Sequence, residues 1–404
     1  MPADRERYEV LYLAGGAHLS RAPSPGSVLS GVLLPASLVY AGASEIARRA
    51  RMKGRRKTVN AVVVSIGNLE VGGNGKTPFA AHLVNELALR GHRTVYVSRG
   101  FKSEAEGLGV VTIVAPRSVE PSGPCPPGVR ILGADAPGLG VAIGDEGAMV
   151  ASRCPGAPLA FARNRRRALE AVSTLFAPTH VVLDDAFQTW PVARDTDIVL
   201  LDAACPLGNG RIIPAGSLRE RAGALRRADA IGFNGIENDV PLPGTAGRGG
   251  EGLDERLSGL RDWTRRTVRT DVPVFGIRRR LSFLAPEPVA TGPFGGKETE
   301  APGRPAAALS SVGRPRRFEE SLALHGIAVN LALRFPDHYR YRAECVRRID
   351  EALASRGIEV LVTTEKDWAK LREVGPPKTE VRIARLHLDI VGDDPVSLCE
   401  KPRG

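Results

Sequence analysis

Between Val62 and Leu89 the chain reads VVVSIGNLEVGGNGKTPFAAHLVNELAL: a β-branched apolar run, a glycine-rich turn, then an amphipathic helix. Strand, loop and helix in that order form the signature of a phosphate-binding loop. Gly72, Gly73 and Gly75, with Asn74 among them, let successive backbone N–H groups point inward. The helix beginning near Lys76 aims the positive end of its dipole at the same spot. A polyphosphate fits such a cradle. Lys76 would reach the β- and γ-phosphates, and the Thr77 hydroxyl is placed to ligate the Mg²⁺ that bridges them. The usual spacing is G-x-x-x-x-G-K-[ST], and here Glu70 stands where the first glycine belongs.

Beyond the loop the chain keeps alternating strand and helix. Phe79, Leu83 and Leu87, with Ala80, Val84 and Ala88 beside them, give the helix one apolar side, and Gly91 closes it. A second strand, TVYVS at 94 to 98, ends at Arg99. That places an arginine at the carboxyl edge where ligands gather in open α/β sheets, and makes Arg99 a candidate phosphate ligand. Residues 102 to 143, rich in Gly and Pro around the runs VVTIV and VRIL, read as a hairpin or irregular excursion. Asp145 and Glu146 open a helix through AMVASRC. HVVLDDAFQ at 180 to 188 is an apolar strand ending in Asp184 and Asp185, the Walker B arrangement in which a carboxylate holds Mg²⁺ directly or through water. Another strand, TDIVLLD, comes at 196 to 202, and GNGRIIPAGSLRERAGALRRADAI then brings Arg219, Glu220 and Arg221 to a change from loop to helix.

A chain of 404 residues is long enough for two cores, at about 100 to 200 residues per domain. The pattern predicts an α/β protein: a phosphate-loop-type, mostly parallel sheet with flanking helices, plus a second smaller α/β unit. Its expected divisions are an arm at 1–26 that adds little to the fold, a membrane-associating segment at 27–57, and an ATP-binding domain at 58–235. Linkers or insertions around a short strand, VPVFGI, occupy 236–305, and a second unit at 306–404 completes the active-site cleft. His338 stands in a turn of that unit, FPDHYRY, where a histidine can meet a cleft.

The formal net charge of +11 points to an anionic partner. No run interleaves Lys or Arg with aromatics, which argues against nucleic acid. No charged residue occurs from Ala22 to Ser44, and a basic run extends from Arg48 to Lys57. Pro35 and several Ser and Gly interrupt the apolar stretch, so it is expected to lie in an anionic membrane surface rather than to cross it. The five cysteines form no C-x-x-C pair, which fits a reducing compartment without a zinc site.

Taken together, SIGNLEVGGNGKTP, YVSRGF, GDE, LDDAFQ, ARDTDIVLLDA, PLGNGRIIPAGSLRE, FPDHYRY and TTEKDWAKL resemble the tetraacyldisaccharide 4'-kinase family of lipid A assembly. The resemblance implies phosphorylation of the 4'-hydroxyl of a tetraacyldisaccharide 1-phosphate by ATP and Mg²⁺, at the cytoplasmic face of the inner membrane of a Gram-negative bacterium. It implies that Lys76 and Thr77 hold phosphates and Mg²⁺, that Asp184 and Asp185 serve the metal with Glu220 reaching it as well, and that Asp145 with His338 helps deprotonate the sugar hydroxyl. The family's DDGFQH, GDEP and LREP are changed here at Ala186, Thr189, Gly147 and Arg221. A membrane-associated ATPase or switch would share the loop, the Walker B strand and the membrane segment while needing no sugar site.

Overall fold

A strand of β-branched residues flanked by helices on both faces should be buried throughout, and Val62–Gly67 is buried at every position. The computed structural model describes residues 8–13, 33–52, 59–72, 75–101, 103–134, 136, 138–188, 192–237, 252–268, 271–286, 296–337 and 339–400. Two compact units emerge: one from residues 22–279 with 388–404, the other from 1–21 with 280–387.

In the first unit, which takes in residues 274–279 of the Val274–Pro286 strand, the sheet order is that strand, Ala230–Asn234, Thr196–Asp202, Val62–Gly67, His180–Asp184, Thr94–Ser98, Leu159–Phe161, Val111–Ala115 and Val129–Gly133. Every neighbouring pair is parallel except Val111–Ala115 with Leu159–Phe161. The phosphate-loop strand therefore lies between Thr196–Asp202 and His180–Asp184, with Ile66 in register with Asp184. That register sets the carboxyl end of the Walker B strand beside the start of the phosphate loop. The Lys76–Leu89 helix packs Phe79, Leu83, Val84 and Leu87 into the core under the sheet, and Phe79 stacks on Phe275 with ring centroids 5.4 Å apart. A buried aromatic pair in offset geometry holds the helix against the strand at Val274–Pro286.

The second unit carries a smaller sheet of parallel neighbours in the order Glu9–Tyr12, Val329–Arg334, Ala306–Ser310, Val360–Thr364 and Glu380–Gly392. The helices Pro315–Leu324, Ala343–Ala354 and Glu365–Val374 alternate with these strands. Leu309, Leu333, Phe335, Ile349, Leu361 and Trp368 form part of its core.

Three expectations are corrected. The runs VTIVA and VRILG are no hairpin but parallel neighbours: the Pro- and Gly-rich stretch between them is long enough to carry the chain back for a crossover. The first residues do contribute to the fold, because EVLY at 9–12 adds an edge strand to Val329–Arg334. Its side chains anchor it: Tyr8 donates to Glu319, Arg356 pairs with Glu9, and Arg334 donates to the Tyr12 hydroxyl. Finally, residues 236–305 hold more than linkers around a short strand: the Leu253–Val268 helix packs into the core, and the expected strand runs on over Val274–Pro286.

Candidate active site

Gly75 precedes the helix with φ of 77°, a left-handed backbone conformation that favours glycine. A Cβ there would meet the Asn234 amide nitrogen at 2.4 Å, so the absence of a side chain lets the loop close against the end of the Ala230–Asn234 strand, two strands across the sheet. Gly73 and Asn74 lie outside the described residues. Lys76 is buried, and its ammonium sits 3.3 Å from the Gly72 carbonyl and 3.5 Å from Asp185 Oδ1. The Thr77 hydroxyl donates to Asp184 Oδ2 at 2.7 Å.

Asp184 is the buried centre of the group. The Tyr96 hydroxyl donates to the same Oδ2 at 2.7 Å, while Oδ1 is buried with no hydrogen-bond partner among the described residues. Burial pushes the Asp184 carboxyl above its ordinary value, with the Thr77 and Tyr96 hydrogen bonds acting in the opposite direction. Burial and the Asp184 charge push the Tyr96 phenol well up, which keeps it a donor at neutral pH. An oxygen set of one hydroxyl and one carboxylate with an unused lone-pair face suits Mg²⁺, a hard cation that completes its shell with water and phosphate oxygens. The residues fit the ion. No cluster of three or more His, Cys, Asp or Glu side chains suited to a metal occurs among the described residues.

Asp185, next along the chain, takes a left-handed backbone conformation, φ 48°, which is uncommon for a residue with a side chain. Such strain is held where surrounding contacts over-determine it. Here Lys76 and Arg219 supply those contacts: the Arg219 guanidinium donates to both carboxylate oxygens, at 3.0 and 3.2 Å. Burial raises the Asp185 carboxyl, but the Lys76 and Arg219 charges outweigh it and hold the group below its ordinary value. Behind the pair, buried Arg165 donates to the backbone carbonyls of Ala162 and Asp184.

The remaining sequence candidates divide. Asp145 comes directly after Gly144, whose φ of 83° breaks the Leu139–Arg153 helix, so the acidic residues open its second half rather than the whole helix. A Cβ at Gly144 would approach the Phe101 carbonyl to 3.0 Å, which sets the GDE turn against the SRGF turn, and the Glu146 charge is felt at both Asp184 and Tyr96. Arg99 pairs with Glu106 at 2.6 Å and Glu220 with Arg227 at 2.9 Å; neither bonds Thr77 or the aspartates. For Glu220 the guanidinium occupies the carboxylate that was expected to face metal. His338 and Thr189 lie outside the described residues. Tyr96, Arg165 and Arg219 join the site without having been singled out as ligands; their signal was strand register and proximity to the aspartates, which depend on long-range pairing.

A lysine- and threonine-bearing phosphate loop, set beside an aspartate pair at the end of the adjacent parallel strand, defines a protein of the phosphate-loop nucleotide-binding class. The family model described as tetraacyldisaccharide-1-P 4'-kinase matches residues 29–398. This chain belongs to the tetraacyldisaccharide 4'-kinase family. A tetraacyldisaccharide 4'-kinase of Anaeromyxobacter dehalogenans (strain 2CP-C) is 37% identical over 315 residues, covering 77% of this chain and 72% of its own. Another from Anaeromyxobacter sp. (strain Fw109-5) is 34% identical over 380 residues, 92% and 91% of the two chains. The solved structure of LpxK from Aquifex aeolicus shares the fold, with a TM-score of 0.62 at 24% identity over 90% of this chain and 96% of that one.

Proposed function

We infer that this protein is an ATP-dependent kinase that transfers the γ-phosphate to the 4'-hydroxyl of a tetraacyldisaccharide 1-phosphate. The observation that carries the reading is the Thr77–Asp184 pair at the mouth of a loop with Lys76 folded inward, within a chain of this family. The Aquifex aeolicus relative was solved in complex with ATP, which supports ATP as the donor here. Thr77 and Asp184 would hold Mg²⁺, with Asp185 beside them; when bound, the ion neutralises phosphate charge. Lys76 would leave Asp185 for the β- and γ-phosphate oxygens, and Arg219 would remain to balance the aspartate.

A sugar hydroxyl is a weak nucleophile, so a carboxylate that accepts its proton during in-line attack lowers the barrier. Asp145, half-buried at the helix break, is assigned that role, with His338 its partner by family resemblance. The Leu34–Met52 helix supports docking on an anionic membrane surface. Leu38, Val39 and Ile46 are 58%, 73% and 71% exposed while Ser37 is 4% exposed, an inverted pattern that a water-facing helix would not favour. Among the described residues no helix is long and apolar enough to cross a membrane.

The test monitors ADP release from the full-length protein with and without a tetraacyldisaccharide 1-phosphate, and with the same lipid blocked at the 4'-oxygen. Release that needs the free 4'-hydroxyl supports the kinase; release indifferent to the lipid favours an ATPase or switch.

A further inference from the structure

Glu70 replaces the first glycine of the usual phosphate-loop pattern, and nothing in the transfer chemistry calls for a carboxylate there. It is 2% exposed, and its Oε1 accepts from the Ser217 hydroxyl at 2.7 Å. Backbone contacts run alongside. Glu70 forms an antiparallel bridge with Leu218, the Val71 amide donates to the Ser217 carbonyl at 2.8 Å, and the Arg219 amide to the Leu69 carbonyl at 2.7 Å. Two residues beyond Ser217, Arg219 grips Asp185, which in turn faces Lys76. One short segment thus touches the phosphate loop at Glu70 and the Walker B aspartate at Arg219.

The joint is built tightly. Gly208 has φ of 54°, and a Cβ on it would lie 2.3 Å from both Glu70 Oε1 and Ser217 Oγ. Gly216 lies under the Arg211 carbonyl and the Asn209 side chain, where a Cβ would stand 2.1 Å from each. Asn209 is tied across the segment by donating to the Ala215 carbonyl at 3.0 Å. On the other side the Ser37 hydroxyl donates to the Ile212 carbonyl and accepts from the Ala215 amide, each at 2.9 Å. The 208–219 loop therefore has two anchors, Ser37 on the N-terminal helix and Glu70 on the phosphate loop.

We propose that Glu70 is a positioning residue: through Ser217 it fixes the 208–219 loop so that Arg219 holds and balances Asp185 at its place beside the phosphate loop, leaving Lys76 free to turn to the phosphates. The hydrogen bond is part-buried with Glu70 as its buried end, so removing either partner loosens the tie and frees the loop to shift. A misplacement of about 1 Å at reacting groups costs up to 100-fold in rate. The inference rests on the phosphotransferase reading.

The test measures kcat and KM for ATP by label transfer to the lipid acceptor, with full-length Glu70→Ala, Glu70→Gln, Ser217→Ala, Arg219→Ala and the Glu70→Ala/Arg219→Ala double variant. Binding of a non-hydrolysable ATP analogue with Mg²⁺ is measured in parallel, which needs no acceptor. Glu70→Ala and Ser217→Ala are each expected to lose about tenfold in kcat. Glu70→Gln keeps an oxygen that accepts from Ser217 and should retain most of the rate, and the double variant should be no slower than Arg219→Ala. Wild-type kcat in both Glu70→Ala and Ser217→Ala, or Gln no better than Ala, or multiplied losses in the double variant, would overturn the proposal. An inactive wild-type protein would instead count against the kinase reading; Glu70→Ala binding the analogue as wild type does would then also sink the positioning role.

Discussion

The Thr77 hydroxyl donates to Asp184 at 2.7 Å across a sequence separation of 107 residues. The contact exists because two adjacent parallel strands end level with each other, Ile66 beside Asp184. Tyr96, one strand further out, completes it by donating to the same oxygen. Outer partners of this kind orient a ligating carboxylate and commonly change metal affinity by about 10- to 100-fold. Tyr96→Phe is therefore expected to raise the Mg²⁺ concentration giving half-maximal activity by about tenfold, with saturated kcat close to wild type. A Mg²⁺ titration at fixed ATP checks this, and an unchanged midpoint contradicts it.

The two aspartates should respond to amidation with opposite signs. Asp184 carries its charge at a cost because it is buried, so Asp184→Asn is expected to melt a few degrees higher than wild type in the absence of nucleotide, and to lose phosphotransfer. Asp185 is held down by Lys76 and Arg219, so Asp185→Asn should melt lower. Its carboxylate is 39% exposed and water screens the pair, which limits that loss to about 1 kcal/mol. Melting curves of both variants at neutral pH decide the matter.

Acid extends the same contrast. Asp185 has a folded value below its ordinary 3.8, so its contribution is fully present above 3.8 and fades as pH falls through the depressed folded value. Asp184 has a raised folded value, so its penalty is absent below 3.8 and grows as pH rises through that folded value. The advantage of Asp184→Asn over wild type should therefore shrink on acidification before the deficit of Asp185→Asn does. Denaturant midpoints across the acid range check the order, and the reverse order would show the two environments misassigned.

At the N-terminal helix, Leu38→Ser with Ile46→Ser removes two of the most exposed apolar side chains. Binding to vesicles rich in anionic phospholipid is expected to weaken by roughly tenfold or more, at about 25 cal/mol per Å² of apolar surface. ATP-analogue affinity should not change. Co-sedimentation with such vesicles is the measurement, and undiminished binding removes this helix from the membrane contact.

Much of the site was legible because its chemistry is local. Gly72, Gly75, Lys76 and Thr77 are contiguous with the strand and helix that position them, and the apolar run before Asp184 announces a buried strand. Glu70 stood out as a departure, but its partner Ser217 lies 147 residues away and no periodicity connects them. Tyr96, and the aspartate that Arg219 grips, were hidden for the same reason: these contacts come from sheet order and loop docking. The Glu220–Arg227 pair was not legible either, because a carboxylate's nearest cation is invisible until the helical turn between them forms. The arm at 9–12 was underrated because a four-residue edge strand carries too little pattern to be seen alone.

The central claim is most directly tested by incubating the full-length protein in detergent micelles with γ-labelled ATP, Mg²⁺ and a tetraacyldisaccharide 1-phosphate, beside Lys76→Ala and Asp145→Ala. The account predicts label at the lipid's 4'-position with the wild-type protein, and a loss of at least about 100-fold in each variant. ATP hydrolysis without lipid labelling, still abolished by Lys76→Ala, would contradict it.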